Sequence, residues 1–132
     1  MAAHMVKPPV GQAARAVSRL ASLGHAVRGL GVLLREPNAR IHVCAALGVA
    51  ALGMWLRLDR SDWLAVLLAM GLVLGAEALN TAVERVVDLV QPEWHPLARD
   101  AKDVAAAGVL ICSLAAAAVG CGVFAPRLWA LL

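Results

Sequence analysis

The stretch Glu77-Ala78-Leu79-Asn80-Thr81-Ala82-Val83-Glu84-Arg85-Val86-Val87-Asp88 decides how this chain is read. It continues an apolar run, Trp63–Ala76, that holds 14 residues and no formal charge. Glu77, Asn80, Thr81, Glu84 and Asp88 stand at i, i+3, i+4, i+7 and i+11, which places them on one face of one helix. An ionisable side chain inside a membrane span costs about 2.5–3.5 kcal/mol on insertion scales, so it marks a functional site or a partner group.

Two further apolar runs flank this one. Ile41–Leu56 has 16 residues without charge between Arg40 and Arg57, and Val104–Phe124 has 21. A helical span needs about 20 residues, and snorkelling arginines lengthen the first run. The chain is therefore expected to be an all-α integral membrane protein with three transmembrane helices, about 40–58, 62–90 and 103–125. Pro8, Pro9, Pro37, Pro92, Pro96 and Pro126 lie outside the three runs, as helix breakers should. Trp55, Trp63 and Trp129 fall near span ends, where indole rings favour the interface. Ser61 or Asp62 is expected to cap the second span.

Residues 12–35 carry Val17, Leu20, Val27, Leu30 and Leu34 at helical spacing, with Arg15, Arg19 and Arg28 on other faces. This predicts an N-terminal amphipathic helix on the membrane surface, preceded by a disordered tail, 1–11. The membrane domain then covers 12–132.

Composition agrees. Residues of the AVILMFWYC set make up 61% of the 132, and charged residues 16%, while soluble domains run near 45–50% and 25%. Mean hydropathy is +0.76. A net charge of +3 suggests nucleic acid only until its distribution is read. Nine Lys/Arg, Arg85 among them, fall before the first apolar run or between the second and third, against three elsewhere. The positive-inside rule then puts the N-terminus in the cytoplasm and the C-terminus outside. Cys44, Cys112 and Cys121 lie in apolar runs without a C-x-x-C pair and read as buried thiols.

Depth suggests a division of labour. At 1.5 Å per residue, Glu77 lies roughly 21 Å from Trp63 in a core about 30 Å thick. A carboxylate there reaches a polar group on a lipid and is suited to general-base work. Glu84, about 10 Å further along, meets the cytoplasmic interface, where Mg²⁺ takes carboxylate and phosphate oxygens. The alternative is a polar seam between helices, with Asn80 and Thr81 as glue. Lys102, placed at a helix start where the dipole disfavours a cation, is a candidate phosphate ligand. It reads equally as a snorkelling lysine with Asp103 capping the helix. No phosphate-binding glycine loop or soluble-kinase catalytic loop is present.

The twelve residues Glu77–Asp88 are similar to the signature of the prokaryotic diacylglycerol kinase family, E-x-[LIVM]-N-[ST]-[SA]-[LIVM]-E-x-x-V-D, at every defined position. Glu36–His42 and Lys102–Ala106 also resemble that family, in the same order, and the likeness spans about residues 20–124. The resemblance implies a homotrimer in the bacterial cytoplasmic membrane, with composite sites between subunits. It implies transfer of the γ-phosphate of ATP to a lipid hydroxyl, with Mg²⁺ as cofactor and no nucleic-acid partner.

Carried over, Glu77 is the base, and Glu84 and Glu36 hold Mg²⁺ at the ATP phosphates. Glu93, Trp94 and His95 match the stretch that contacts the nucleotide, and Lys102 and Asp103 the phosphate-contacting pair. Asn80 and Asp88 take structural or supporting places. Arg19 and His25 of the surface helix are further candidates for contact with ATP or lipid. The distance from Gly29 to Glu36 is one residue shorter than in the family, and Pro37 keeps the backbone of Glu36 out of regular helix. His95-Pro96-Leu97-Ala98-Arg99 resembles the branch that phosphorylates undecaprenol more than the branch that phosphorylates diacylglycerol. A small ion-coupled transporter using Glu77 is the competing reading. It gives no reason for Glu84, Asp88, Lys102 and Asp103 to gather at one mouth.

Overall fold

The computed structural model describes residues 19–131. The expected tail, 1–11, and residues 12–18 of the expected surface helix lie outside the described residues. Four helices follow: α1 (Arg19–Leu33), α2 (Pro37–Trp55), α3 (Arg60–Val90) and α4 (Pro96–Trp129). α1 belongs to one compact unit and α2–α4 form another. Along α1, the exposed side chains Leu23, Val27 and Leu30 stand at i, i+4 and i+7, so they share one apolar face. His25 and Arg28, also exposed, lie off that face.

In the second unit, α3 packs mainly on α4 and less on α2. Glu36 precedes α2 with extended backbone, φ −75° and ψ 131°, and Pro37 occupies the first helical turn. There its missing N–H costs nothing.

The turn from α2 to α3 is tightly built. The N–H of Leu58 donates to Gly53 O (3.1 Å) and that of Arg57 to Met54 O (3.2 Å). This pair of bonds is a Schellman motif with Arg57 in the left-handed position, at φ 52°. Leu58 folds back and is buried against the surface of Gly53, where a Cβ would stand 3.0 Å from Leu58 Cδ1 and from the Trp63 ring.

The cap of α3 corrects the sequence expectation. Asp59 holds the N-cap, its side chain accepting from the N–H of Asp62 at 3.0 Å. Ser61, expected as a cap, instead donates its hydroxyl to Asp59 at 2.7 Å. These two bonds, with a smaller pull from Arg127, hold the Asp59 carboxyl below its ordinary value of 3.8. Arg127 reaches across from α4 to both Asp59 and Asp62 and also donates to Val123 O.

α4 begins earlier than the apolar run does. His95 is its N-cap, with Nδ1 accepting from the N–H of Leu97 at 3.2 Å, and Pro96 opens the first turn. Lys102 and Asp103 therefore lie two turns inside the helix, not at its start, and Asp103 caps nothing. At the other end α4 runs through Pro126 to Trp129. Proline there lacks the N–H that would reach back one turn.

A small core of Leu58, Val66, Val123 and Phe124 sits beside the α2–α3 turn, with Leu56, Trp63 and Met70 against it. Trp63 is partly buried against that core, whereas Trp55 and Trp129 are exposed. The rest of α3 and α4 presents Leu67, Leu68, Leu72, Leu79, Leu110 and Ile111 outward. The cysteines are free, with Cys44 and Cys121 on exposed faces and not buried as expected. Apolar patches of this extent call for lipid or another chain. α3 and α4 are each long and apolar enough to cross a membrane. α2, with 19 residues, carries Asn38, Arg40 and His42 in its first two turns, which shortens its apolar stretch.

Candidate functional site

The helix face expected from the sequence exists. Glu77, Asn80 and Thr81 are the buried polar side chains among the described residues, with Glu77 only 3% exposed. The 3.6-residue repeat turns all three inward. Glu77 and Asn80 line an open cleft of about 280 Å³. α2 contributes Asn38, Ile41 and His42 to its wall, and α4 contributes Ala106, Val109, Leu110 and Ser113. Asn80 joins this cleft to the next turn, its Nδ2 donating to Glu84 Oε1 at 3.2 Å.

A second cleft, of about 380 Å³, lies at the α3–α4 connection. Asp88 from α3, Glu93, Trp94 and His95 from the connection, and Arg99, Lys102 and Asp103 from α4 line it. Five of the seven residues expected at ATP, Glu93, Trp94, His95, Lys102 and Asp103, are thus brought together, and Glu36 and Glu84 are not among them. Lys102 Nζ pairs with Asp88 Oδ1 at 2.5 Å, and Arg99 with Asp103 at 3.5 Å. Trp94 stands 79% exposed, a free ring face at the rim. Lys102 is two turns into α4, so it meets its charge partner across the cleft and not at a helix end.

The two clefts share no lining residue. Glu77 and Asp88 are separated by roughly 16 Å of helix rise. Glu36 and Glu84, the expected metal pair, line neither cleft. Glu36 instead accepts from Arg85 Nη2 at 2.7 Å, one residue beyond Glu84. Among the described residues no three His, Cys, Asp or Glu converge as a metal site.

Three participants escaped the sequence reading. Arg85 counted there only as a cytoplasmic charge, yet it fixes Glu36. His42 stood there only as the end of the Glu36–His42 likeness, yet it lines the Glu77 cleft. Ser113 went unremarked, although it is the one hydroxyl residue in Val104–Phe124. Of the surface-helix candidates, His25 is exposed.

Comparison with known proteins bears on what this arrangement does. Residues 24–124 match the family model described as prokaryotic diacylglycerol kinase. The chain is similar to an undecaprenol kinase of Bacillus subtilis, 37% identical over 108 residues, covering 81% of this chain and 88% of that protein. It is also similar to a diacylglycerol kinase of Escherichia coli K12, 32% identical over 99 residues and covering 74% and 81% of the two chains. A diacylglycerol kinase of Synechocystis is 39% identical over 98 residues, which are 74% of this chain and 56% of that one.

Proposed function

This chain belongs to the prokaryotic diacylglycerol kinase family and is a lipid kinase, and from that premise we propose how its residues divide the work. The substrates are ATP and the hydroxyl of a membrane lipid, with undecaprenol favoured over diacylglycerol. The observation that carries this reading is the carboxylate of Glu77, 3% exposed and opening onto a cleft in an otherwise apolar bundle. Glu77 takes the proton of the lipid hydroxyl. The freed oxygen bonds to the γ-phosphorus, the bond from phosphorus to the bridging oxygen breaks, and ADP leaves with a lipid phosphate formed.

Positioning and charge neutralisation do most of the work in phosphoryl transfer. The second cleft supplies both for the nucleotide. The exposed ring of Trp94 offers a stacking surface, and Lys102 turns from Asp88 toward the phosphates. The oxygen donors of Glu84 and Glu36 fit Mg²⁺, a hard cation. Three protein ligands do not converge among the described residues, which suits an ion completed by phosphate oxygens. When bound, the ion neutralises charge on the phosphates. Asn80 fixes Glu84 through its amide, and Arg85 fixes Glu36.

Within one chain the base and the nucleotide cleft stand apart. A homotrimer with sites between copies sets one copy's Glu77 beside another's nucleotide cleft. It also covers the outward apolar faces. In this assembly α2, α3 and α4 are three spans of the bacterial cytoplasmic membrane, with α1 on its surface, the N-terminus inside and the C-terminus outside. The relative from B. subtilis is an undecaprenol kinase, in keeping with the resemblance of His95–Arg99 to that branch. The alternative of an ion-coupled transporter accounts for Glu77 but leaves the second cleft idle.

The test is transfer of label from γ-labelled ATP in mixed micelles, with undecaprenol and diacylglycerol offered in parallel and Glu77→Gln as control. Labelled undecaprenyl phosphate that is lost in Glu77→Gln is the expected result. Label on diacylglycerol alone overturns the choice of lipid, and label that persists in Glu77→Gln overturns the base.

A further inference from the structure

We propose that Ser113 is an acceptor-binding residue, donating its hydroxyl hydrogen to the oxygen of the lipid alcohol that Glu77 deprotonates. The inference rests on the lipid-kinase reading and adds a subsite to it. Among the described residues, two buried side-chain polar atoms lack a hydrogen-bond partner: Asn80 Oδ1 and Ser113 Oγ. Both residues line the cleft that holds Glu77. A buried polar atom left unpaired costs about 1–3 kcal/mol, so such atoms call for an explanation. A serine in the middle of a helix often bonds the carbonyl one turn earlier. Ser113 makes no such bond, and its hydroxyl stays available to a ligand.

The chemistry of the cleft selects an alcohol. Glu77 as a carboxylate only accepts, and the orphaned atom of Asn80 is its amide oxygen, an acceptor too, while its nitrogen gives one hydrogen to Glu84. Of the two orphaned atoms, Ser113 Oγ is the one that carries a hydrogen to donate. An alcohol has one hydrogen and two lone pairs. Its hydrogen goes to Glu77, one lone pair receives Ser113, and the other remains for phosphorus. Ser113 also lines an apolar groove of about 300 Å³ between α2, α3 and α4, with Val49, Met70, Leu74 and Phe124 among its walls. His42 and Ser113 are the residues common to cleft and groove. Ser113 therefore stands where a polar head would meet its hydrocarbon chain.

Two measurements separate this role from a structural one. In Ser113→Ala the transfer efficiency toward undecaprenol falls about tenfold, the size of one lost hydrogen bond, while KM for ATP is unchanged. Ser113→Thr, which keeps the hydroxyl, recovers most of the loss. Without lipid or ATP, Ser113→Ala melts no earlier than the parent chain, because the hydroxyl has no partner to lose. Undecaprenol added without ATP raises the melting temperature of the parent chain and raises that of Ser113→Ala less. An unchanged acceptor KM in Ser113→Ala, equal shifts in both proteins, or no shift in the parent chain overturns the subsite. A shift that depends on Ser113 in a protein that transfers no label leaves the subsite standing and overturns the kinase reading instead.

Discussion

At the start of α3, Asp59 and Asp62 close on Arg127, Ser61 donates to Asp59, and Leu58 and Trp63 fill the surface of Gly53. Some four turns along the same helix, Glu77 opens onto a cleft where Asn80 Oδ1 and Ser113 Oγ have no partner. Both regions concentrate polar groups on α3, and both lie against α4. In the first, local capping and one cross-helix arginine satisfy the polar groups. In the second, two of them have no partner among the described residues. Buried polar groups are normally paired, so the unpaired ones carry the proposed ligand site, and the paired ones mark what holds the frame still.

The largest effect that tests this contrast is on the open side. Glu77→Gln keeps the shape and removes the proposed base. General-base catalysis is worth about 10²–10⁴-fold, so turnover should fall by at least about a hundredfold, with KM for ATP and the melting temperature little changed. A variant that instead melts early and loses its oligomeric state would make Glu77 a packing residue, and the two regions would no longer differ in kind.

Next in size is Arg127→Ala, which strikes the closed side. It removes both carboxylate partners and the bond to Val123 O. The side chains involved are partly exposed, Arg127 by 30% and Asp62 by 22%, and solvent screens such pairs. A loss of about 1–2 kcal/mol follows, with kinetic constants unmoved. The pH dependence has a definite sign. The Asp59 carboxyl is held below 3.8 in the folded chain, so its contribution is complete above that value. It is lost as pH falls through the lower, folded value. The melting difference between the parent chain and Asp59→Ala, which removes the capping carboxyl itself, should hold from neutral pH to about 4 and narrow below it. A difference that widens in acid would contradict the capping geometry.

Much of the open region was legible in sequence because helical periodicity is a property of spacing alone. The positions of Glu77, Asn80 and Thr81 fixed a common face, and apolar neighbours on every side left that face nowhere to go but inward. The proposed nucleotide cleft was legible from resemblance, since its residues come from a connection and the next helix without shared periodicity. The start of α4 was misplaced because hydropathy follows charge. Arg99, Asp100, Lys102 and Asp103 look like a loop, yet His95 and Pro96 form a sound cap and first turn ahead of them. Ser61 and Asp59 both suit an N-cap, and only geometry shows which one accepts. The reach of Arg127 to Asp59, 68 residues away, leaves no trace in any local pattern. Ser113 left a trace, as the lone hydroxyl in an apolar run, but a single serine in a helix carries little weight without the knowledge that it lacks a partner.

A smaller test of the closed region is Gly53→Ala. The new Cβ meets Leu58 Cδ1 and a Trp63 ring carbon at 3.0 Å, and a second ring carbon at 3.2 Å. Leu58 is 7% exposed and belongs to the core cluster, so neither neighbour moves freely. Overpacking of this kind costs about 1–3 kcal/mol, and the better helix propensity of alanine returns up to about 1 kcal/mol. A net loss near 1 kcal/mol in thermal or denaturant melting is expected, and no change in transfer kinetics. An equally large fall in activity would mean that the α2–α3 turn is coupled to the cleft.

The smallest effect is at Arg57, and it has the opposite sign. Its φ of 52° puts an L side chain in the left-handed region, where the Schellman motif usually has glycine. The arginine side chain makes no hydrogen bond or ion pair among the described residues, so nothing in the folded chain repays the strain except its charge at the end of α2. Left-handed backbone costs a residue with a Cβ about 1–2 kcal/mol, and glycine gives back part of this through its greater freedom when unfolded. Arg57→Gly should therefore raise stability by up to about 1 kcal/mol and leave transfer unchanged. A loss of stability would show that the arginine is held by something outside the chain, such as lipid phosphate at the outer interface. The closed region would then depend on its surroundings as the open one does.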